Sequence, residues 1–238
     1  MSVSFAKSIE ELEELRPLWD ELSDNAIERN IFFESWFLLP SLRYLMEPGV
    51  EVLVIRENHR DGKILCLFPV RRRSRFRSIP LPHLAVWSHR HCFLGTPLIR
   101  IGYAEQVFGE LLQWMDSSVS LLHLAKISGE GPIARTLEER LRSEGIPRTW
   151  DITERFTRPC FSSSLPPEQY LAALLKGKRL KDYRKKRAHL EELGPVKTSI
   201  LESSHERDQW LNNFLALEKS GPSPTSNSAS RSDKSSVA

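Results

Sequence analysis

The sequence is poor in cysteine, in long apolar runs and in net charge. Its three cysteines, Cys66, Cys92 and Cys160, are odd in number and far apart, which disfavours both a disulfide framework and a zinc site. No stretch approaches the roughly 18 apolar residues of a membrane span, and the N-terminus has no signal-like apolar run. We therefore expect a soluble, cytoplasmic protein. Because 34 basic residues nearly balance 31 acidic ones, only local clusters of charge are informative.

Hydrophobic spacing alternates between helix and strand patterns over the first 162 residues. Ser8 and Glu11 form a capping-box pattern before an apolar helical stripe, in which Pro17 predicts a kink or a new start. Helices are predicted over 9–22, 34–46, 104–115 and 132–143, strands over 3–6, 52–55, 64–70, 84–87, 93–99 and 121–127, and an extended segment over 148–161. This order predicts an α/β (α+β) fold in which helices cover a mixed, mostly antiparallel sheet.

The remainder of the chain is organised differently. Residues 162–167 are small and proline-rich, as in a hinge. A long helix is predicted over 167–193, then a strand over 196–201 and a helix over 205–219. Residues 221–238 contain no aromatic residue and one large apolar one, Val237, so disorder is expected there.

Five short strings, in this order and spacing, carry a family resemblance. They are FFESWF at 32–37, LFPVRRR at 67–73, HCFLGTPL at 91–98, KRLKDYRKKR at 178–187 and FLALEKSG at 214–221. Together they resemble the CelD-like branch (cellulose biosynthesis protein CelD, BioF-type acetyltransferase domain) of the GNAT N-acetyltransferase superfamily. Members of this branch have two GNAT lobes in tandem, as FemAB-type proteins do.

The resemblance implies a GNAT-like lobe over 1–162, an incomplete second GNAT lobe over 163–220 and a disordered tail over 221–238. It implies transfer of an acyl group from acetyl-CoA or another acyl-CoA to a small-molecule or saccharide-precursor acceptor. Family members continue with Trp-Lys-Gly after the last string, whereas Gly221 is followed here by Pro-Ser-Pro-Thr. We therefore expect a truncation or frameshift that removes the acyl-CoA half. The alternatives are a non-catalytic binding module and an inactive fragment.

Two stretches are candidate anion sites. The first is Arg100, Gly102 and Ala104, where a glycine opens a predicted helix as in a pyrophosphate loop; the alternative is an ordinary turn. The second is the basic run 176–187, which would contact an anionic substrate or cofactor or would form a solvated helix face. Its candidate ligand-binding residues are Lys178, Arg179, Lys181, Arg184, Lys185 and Arg187. The moderate pI and the lack of interleaved aromatic residues disfavour nucleic acid as the partner.

Other chemically active residues leave two interpretations each. If 89–92 is extended, His89 and His91 lie on one face of the strand and Cys92 lies on the other. Either histidine would then act as a general base or line a cleft. No further ligand lies at metal-binding spacing, so no metal is expected. Glu218 is a solvated helix-end residue or a base for the amine. The Arg71–Arg73 run is a solvated strand end or the rim of an anionic-substrate site.

Overall fold

A computed structural model describes residues 1–58, 62–142, 148–158, 163–175 and 177–220. The chain forms two compact units, Met1–Arg155 and a second that begins at Phe156. The domain boundary predicted at residue 162 and the tail 221–238 both lie outside the described residues. No described helix has the length and apolar character that crossing a bilayer requires.

The first unit alternates strands with helices. In chain order its elements are β1 (Ser2–Ala6), α1 (Ile9–Asp24), a 3-10 turn (Ile31–Phe33), α2 (Ser35–Leu45), β2 (Val50–Arg56), β3 (Ile64–Arg73), β4 (His83–Val86), β5 (Leu98–Ile99), α3 (Ala104–Ser118), β6 (Leu122–His123) and α4 (Pro132–Arg142). Within the described residues the strands form one sheet in the order β1-β2-β3-β4-β6, and β5 also pairs with β3. Among these described strands only the pair β4 and β6 runs parallel. The predicted α/β fold with a mostly antiparallel sheet covered by helices is confirmed.

Local sequence signals explain where α1 begins. The Ser8 side chain accepts a hydrogen bond from the Glu11 amide, and the Glu11 carboxylate accepts one from the Ser8 amide, which completes the capping box. Of the two alternatives predicted at Pro17, the new helical start is wrong, because α1 runs from Ile9 to Asp24 with Pro17 inside it. The helix buries Leu12, Trp19 and Leu22 against the sheet.

The core is densest at the centre of the sheet. Residues Ile64–Val70 of β3 are all buried, because β3 lies between β2 and β4 and helices cover the sheet. Because both faces of β3 are buried, its apolar run is unbroken. In a strand with one face in water, apolar and polar residues would alternate instead. At its end β3 continues into Arg71–Arg73, three residues beyond the predicted strand.

Two predicted strands shrink to two-residue pairings. Of 93–99 only Leu98–Ile99 is a strand, and of 121–127 only the half-buried Leu122–His123. The reason lies at Gly95, whose amide donates to the Lys126 carbonyl at 3.0 Å and whose α-carbon approaches Ala125 closely. Lys126 has φ of 58°, so the backbone turns there and an extended ladder cannot continue.

The second unit is helical and open. Its described elements are α5 (Pro167–Leu174), α6 (Lys178–Leu193), a 3-10 turn (Ser204–Glu206) and α7 (Arg207–Ser220). None of the residues of α5, α6 and α7 is buried. The single helix predicted over 167–193 is wrong, because Gly177 has φ of 60° and separates α5 from α6. The strand predicted over 196–201 is also wrong, since the described part of this unit offers no strand to pair with it.

Candidate functional site

The predicted pyrophosphate turn has its arginine in the interior of the first unit. Arg100 is buried, and its Nε donates to the Ile64 carbonyl oxygen at 3.1 Å. Its two terminal nitrogens donate to the two carboxylate oxygens of Glu21, one of them at 2.8 Å. This hydrogen bonding lowers the pKa of Glu21 from its ordinary value. Gly102 has φ of 83° and Ala104 begins α3. Arg100, the third residue of the predicted anion site, is buried and donates its hydrogen bonds to protein oxygens.

The basic run lies in the second unit, on α6. All six candidate residues are exposed, and Arg187 pairs with Glu191 at 3.1 Å. The first turn of α6 holds Lys178, Arg179 and Lys181 and no acidic residue, so these three positive side chains lie at the positive end of the helix dipole. Lys176 lies outside the described residues, and Glu218 is exposed on α7.

The histidine motif forms a turn, not a strand, so the predicted alternation of faces is wrong. The Cys92 amide donates to the His89 carbonyl at 3.0 Å, which closes the turn and buries Cys92. The His89 ring stacks on Phe37 with centroids 6.0 Å apart. Burial lowers the pKa of His89, and the neighbouring His91 adds to this effect. Among the described residues no group of three or more possible ligands could hold a metal ion.

A different set of residues surrounds a cleft of about 450 Å³ in the first unit. We call it the arginine cleft, because four arginines at alternate positions line it together with two histidines. Its lining residues are Arg71, Arg73, Arg75, Phe76, Arg77, His83, Ala85, Val86, Trp87, Ser88, His123, Ala125, Thr153 and Glu154. Its volume is typical of small-molecule sites.

The strand register brings these side chains together. Arg71 pairs with Ala85 on β4, and Ala85 pairs with His123 on β6, so the three residues form one row across the sheet. Arg73 pairs with His83 in the next row. Residues two positions apart on a strand share a face, so both rows open to the same side. The small Ala85 in the middle leaves room for a ligand between the arginine and the imidazole.

Turn chemistry brings two further arginines to the cleft. Phe76 and Ile79 exchange backbone hydrogen bonds of 3.0 Å, which closes a two-residue turn after β3. Arg77 occupies this turn with φ of 53°, a conformation that non-glycine residues rarely adopt. One of its terminal nitrogens donates to the Thr153 carbonyl at 3.3 Å, which connects the turn to the segment after α4. A strained backbone at a charged turn beside a cleft is a common feature of binding sites.

Aromatic contacts hold the two histidines. The Phe76 ring meets His83 edge-on at 5.5 Å and His123 edge-on at 5.4 Å, and the two imidazoles are 6.3 Å apart. His83 Nδ1 lies 3.0 Å from the Leu81 carbonyl, so in the neutral ring this nitrogen carries the hydrogen and Nε2 carries the lone pair. Burial lowers the pKa of His123, and His83 and Arg77 lower it further.

Acidic side chains offset only part of the positive charge of the cleft. Glu47 contacts a terminal nitrogen of Arg71 and lies 3.9 Å from one of Arg73. Glu154 is the acidic residue in the lining. Four guanidinium groups therefore face two carboxylates, and the cleft has the charge and the donors to bind an anion.

The sequence pointed to the arginines but not to the histidines. The sequence marked the Arg71–Arg73 run as a solvated strand end or the rim of an anionic-substrate site. The structure selects the arginines at 71, 73, 75 and 77 as the ones that line the cleft. His83 and His123 are isolated residues, 40 positions apart in the numbering, and no local pattern marks them. Only the parallel pairing of β4 with β6 brings them together.

Comparison with known proteins adds one structural similarity. No family model and no curated protein matches the sequence. The chain is similar to the apo crystal structure of the aminoglycoside antibiotic 6'-N-acetyltransferase AAC(6')-IG from Acinetobacter haemolyticus, at 10% identity and a TM-score of 0.34. The similarity covers 66% of this chain and 100% of that one. A likeness of this size assigns neither a family nor an activity.

Proposed function

We propose that the first unit is the ligand-binding lobe of an acyltransferase, and that the arginine cleft holds a phosphoryl-bearing part of its ligand. The observation that carries this proposal is the convergence of alternate arginines with two histidines around Ala85. Guanidinium groups match phosphate geometry with paired hydrogen bonds, so several of them around a small residue favour a multiply charged ligand.

The acyl-transfer part of the proposal is supported by the five strings that resemble the CelD-like GNAT branch. In that reaction the enzyme holds a thioester beside an amine or hydroxyl and stabilises the oxyanion, without a covalent intermediate. A phosphoryl-bearing ligand fits either partner, because acyl-CoA carries a pyrophosphate and many saccharide precursors are phosphorylated. We further propose that the basic residues of α6 bind a polyanionic group, since few acidic side chains on that helix neutralise them.

A pair of neighbouring arginines tests the cleft. Arg73 lines it, whereas Arg72 points to the other face of the sheet, with its guanidinium carbon 5.8 Å from the centre of the Phe5 ring. Calorimetric titration of the whole chain with pyrophosphate, coenzyme A and acetyl-CoA should give saturable binding. Arg73→Ala should weaken it by roughly 10-fold or more, the usual loss for a charged hydrogen bond. Arg72→Ala should leave it unchanged.

Two outcomes would contradict the proposal. One is no saturable heat with any of the three compounds. The other is an equal loss of affinity in both variants, which would indicate non-specific attraction to positive charge. The same preparations, incubated with acetyl-CoA and a panel of amines, would separate the two candidate functions. Release of free thiol supports an acyltransferase, whereas anion binding without turnover supports a non-catalytic binding module.

A further inference from the structure

We propose that Trp87 contacts the ligand directly and donates its indole N–H to an oxygen of the anion in the arginine cleft; this inference rests on the proposed function. Trp87 follows β4 and continues its alternation, so His83, Ala85 and Trp87 face the same side. Its amide donates to the Pro69 carbonyl of β3 at 2.9 Å, which holds its backbone beside that strand.

The indole nitrogen of Trp87 is exceptional for a buried donor. The side chain is 3% exposed, and its Nε1 is buried without an acceptor among the described residues. Most buried polar groups in proteins have a hydrogen-bond partner, and a tryptophan in a core is usually placed so that its N–H reaches one. An orphan donor in the lining of a cleft is explained if a ligand supplies the acceptor.

Trp19 shows the ordinary arrangement in the same unit. It is fully buried in α1, and its Nε1 donates to the Phe33 carbonyl at 2.9 Å. Trp36, which is more than half exposed, also has a partner, since its Nε1 donates to Glu34 at 2.7 Å. Trp87 therefore differs from both in having its polar atom unused within the described protein, although it is as deeply buried as a core residue.

The donor inventory of the cleft narrows the chemistry of the ligand. Guanidinium and indole N–H groups donate hydrogen bonds and cannot accept them. A ligand atom that contacts both Arg71 and Trp87 must therefore be an acceptor with several lone pairs. Phosphoryl and phosphoanhydride oxygens meet this requirement, whereas an ammonium group or a protonated amide nitrogen does not. We therefore infer that the phosphoryl oxygens, rather than an amine of the acceptor, lie at this end of the cleft.

A matched pair of substitutions tests the inference, with pyrophosphate as the probe at fixed ionic strength. Trp87→Phe removes the orphan donor and keeps an aromatic ring; it should weaken pyrophosphate binding by roughly 10-fold. Trp19→Phe removes a donor that already has a partner. It should lower the melting temperature by about 4 °C and leave pyrophosphate affinity unchanged.

A second measurement uses the wild-type chain and does not depend on variant folding. In a ¹⁵N-labelled sample, the Trp87 indole resonance should shift when pyrophosphate is added, and the Trp19 resonance should stay in place. If pyrophosphate does not bind wild type at all, the proposed function and this inference both fail. If it binds wild type and Trp87→Phe equally, or if the Trp87 resonance does not move, only this inference is overturned.

Discussion

Arg100 tests whether a predicted cofactor residue is in fact structural. Replacing it with methionine keeps an unbranched, flexible side chain but removes all three of its hydrogen bonds, one to Ile64 and two to Glu21. The Ile64 carbonyl is then left buried without its side-chain donor, which costs about 1–3 kcal/mol. Glu21 keeps a half-exposed carboxylate, so water replaces part of the lost pairing and its contribution is about 1 kcal/mol.

The sum predicts that Arg100→Met lowers the free energy of unfolding by about 3 kcal/mol. For a unit of this size that corresponds to a fall in melting temperature of roughly 6–12 °C. Thermal unfolding followed by circular dichroism measures the fall. Arg16→Met is the matched control, because Arg16 also pairs with acids but lies on the exposed side of α1. Its effect should remain within about 0.5 kcal/mol.

The pH dependence of the stability of Arg100→Met gives a second test. Arg100 holds the pKa of Glu21 below its ordinary value of 4.5 in the folded state. A carboxyl with a lowered folded pKa stabilises the fold above its unfolded pKa, and this stabilisation is lost as the pH falls through the folded pKa. The stability gap between wild type and Arg100→Met should therefore be largest near neutral pH and should narrow below about pH 4.5.

One result would refute this reasoning. If Arg100→Met melted like wild type while losing affinity for coenzyme A, the arginine would be a ligand residue, as the pattern Arg100, Gly102, Ala104 suggested. A loss of stability that did not change between pH 7 and pH 3 would contradict the assigned partner, since the protonation of Glu21 would then be irrelevant.

Three further predictions concern the cleft. Gly95→Ala places a β-carbon 2.1 Å from the Ala125 carbonyl oxygen, so the backbone must move. We expect thermal unfolding to show a free energy of unfolding lower by about 2–4 kcal/mol, together with weaker pyrophosphate binding. A variant as stable as wild type would contradict the close approach. Arg77→Gly relieves the strain of the left-handed backbone, but glycine loses more conformational entropy on folding, so the free energy of unfolding should stay within about 1 kcal/mol of wild type. Calorimetry should nevertheless show pyrophosphate binding weakened by roughly 10-fold. Because the pKa of His123 is lowered in the free protein and a bound anion favours its charged form, affinity for sulfate should rise as the pH falls from about 7.5 to about 5.5; His123→Asn should flatten this slope, and an unchanged slope would place the proton elsewhere.

Local patterns succeeded where the structure depends on neighbours in the sequence. The α1 capping box was predictable because its partners are three residues apart and belong to one helical turn. The stop of α6 at Gly194 followed from the same kind of signal. Pro17 does not start a new helix, because packing of the α1 apolar face against the sheet outweighs the cost of one missing backbone donor.

Apolar composition was less informative about strands. The segments 93–99 and 121–127 have strand-like residues, yet Gly95 and Lys126 pair them through a close backbone approach and a turn instead of a ladder. A strand requires a partner along its whole length, and that partner is a property of the sheet. The same reason explains 196–201, which has an apolar pattern but no strand beside it in the described part of the second unit.

The sequence alone determined the class of fold, the capped start of α1 and the charged run Arg71–Arg73, because each follows from the chemistry of adjacent residues. Only the tertiary structure decided which charges face a ligand. It buried Arg100 against Glu21, directed Arg72 to the other face of the sheet, and brought His83 and His123 to the same cleft as Arg71. The physical reason is that strand pairing joins residues far apart in the chain, and the register of that pairing assigns every side chain to one face or the other.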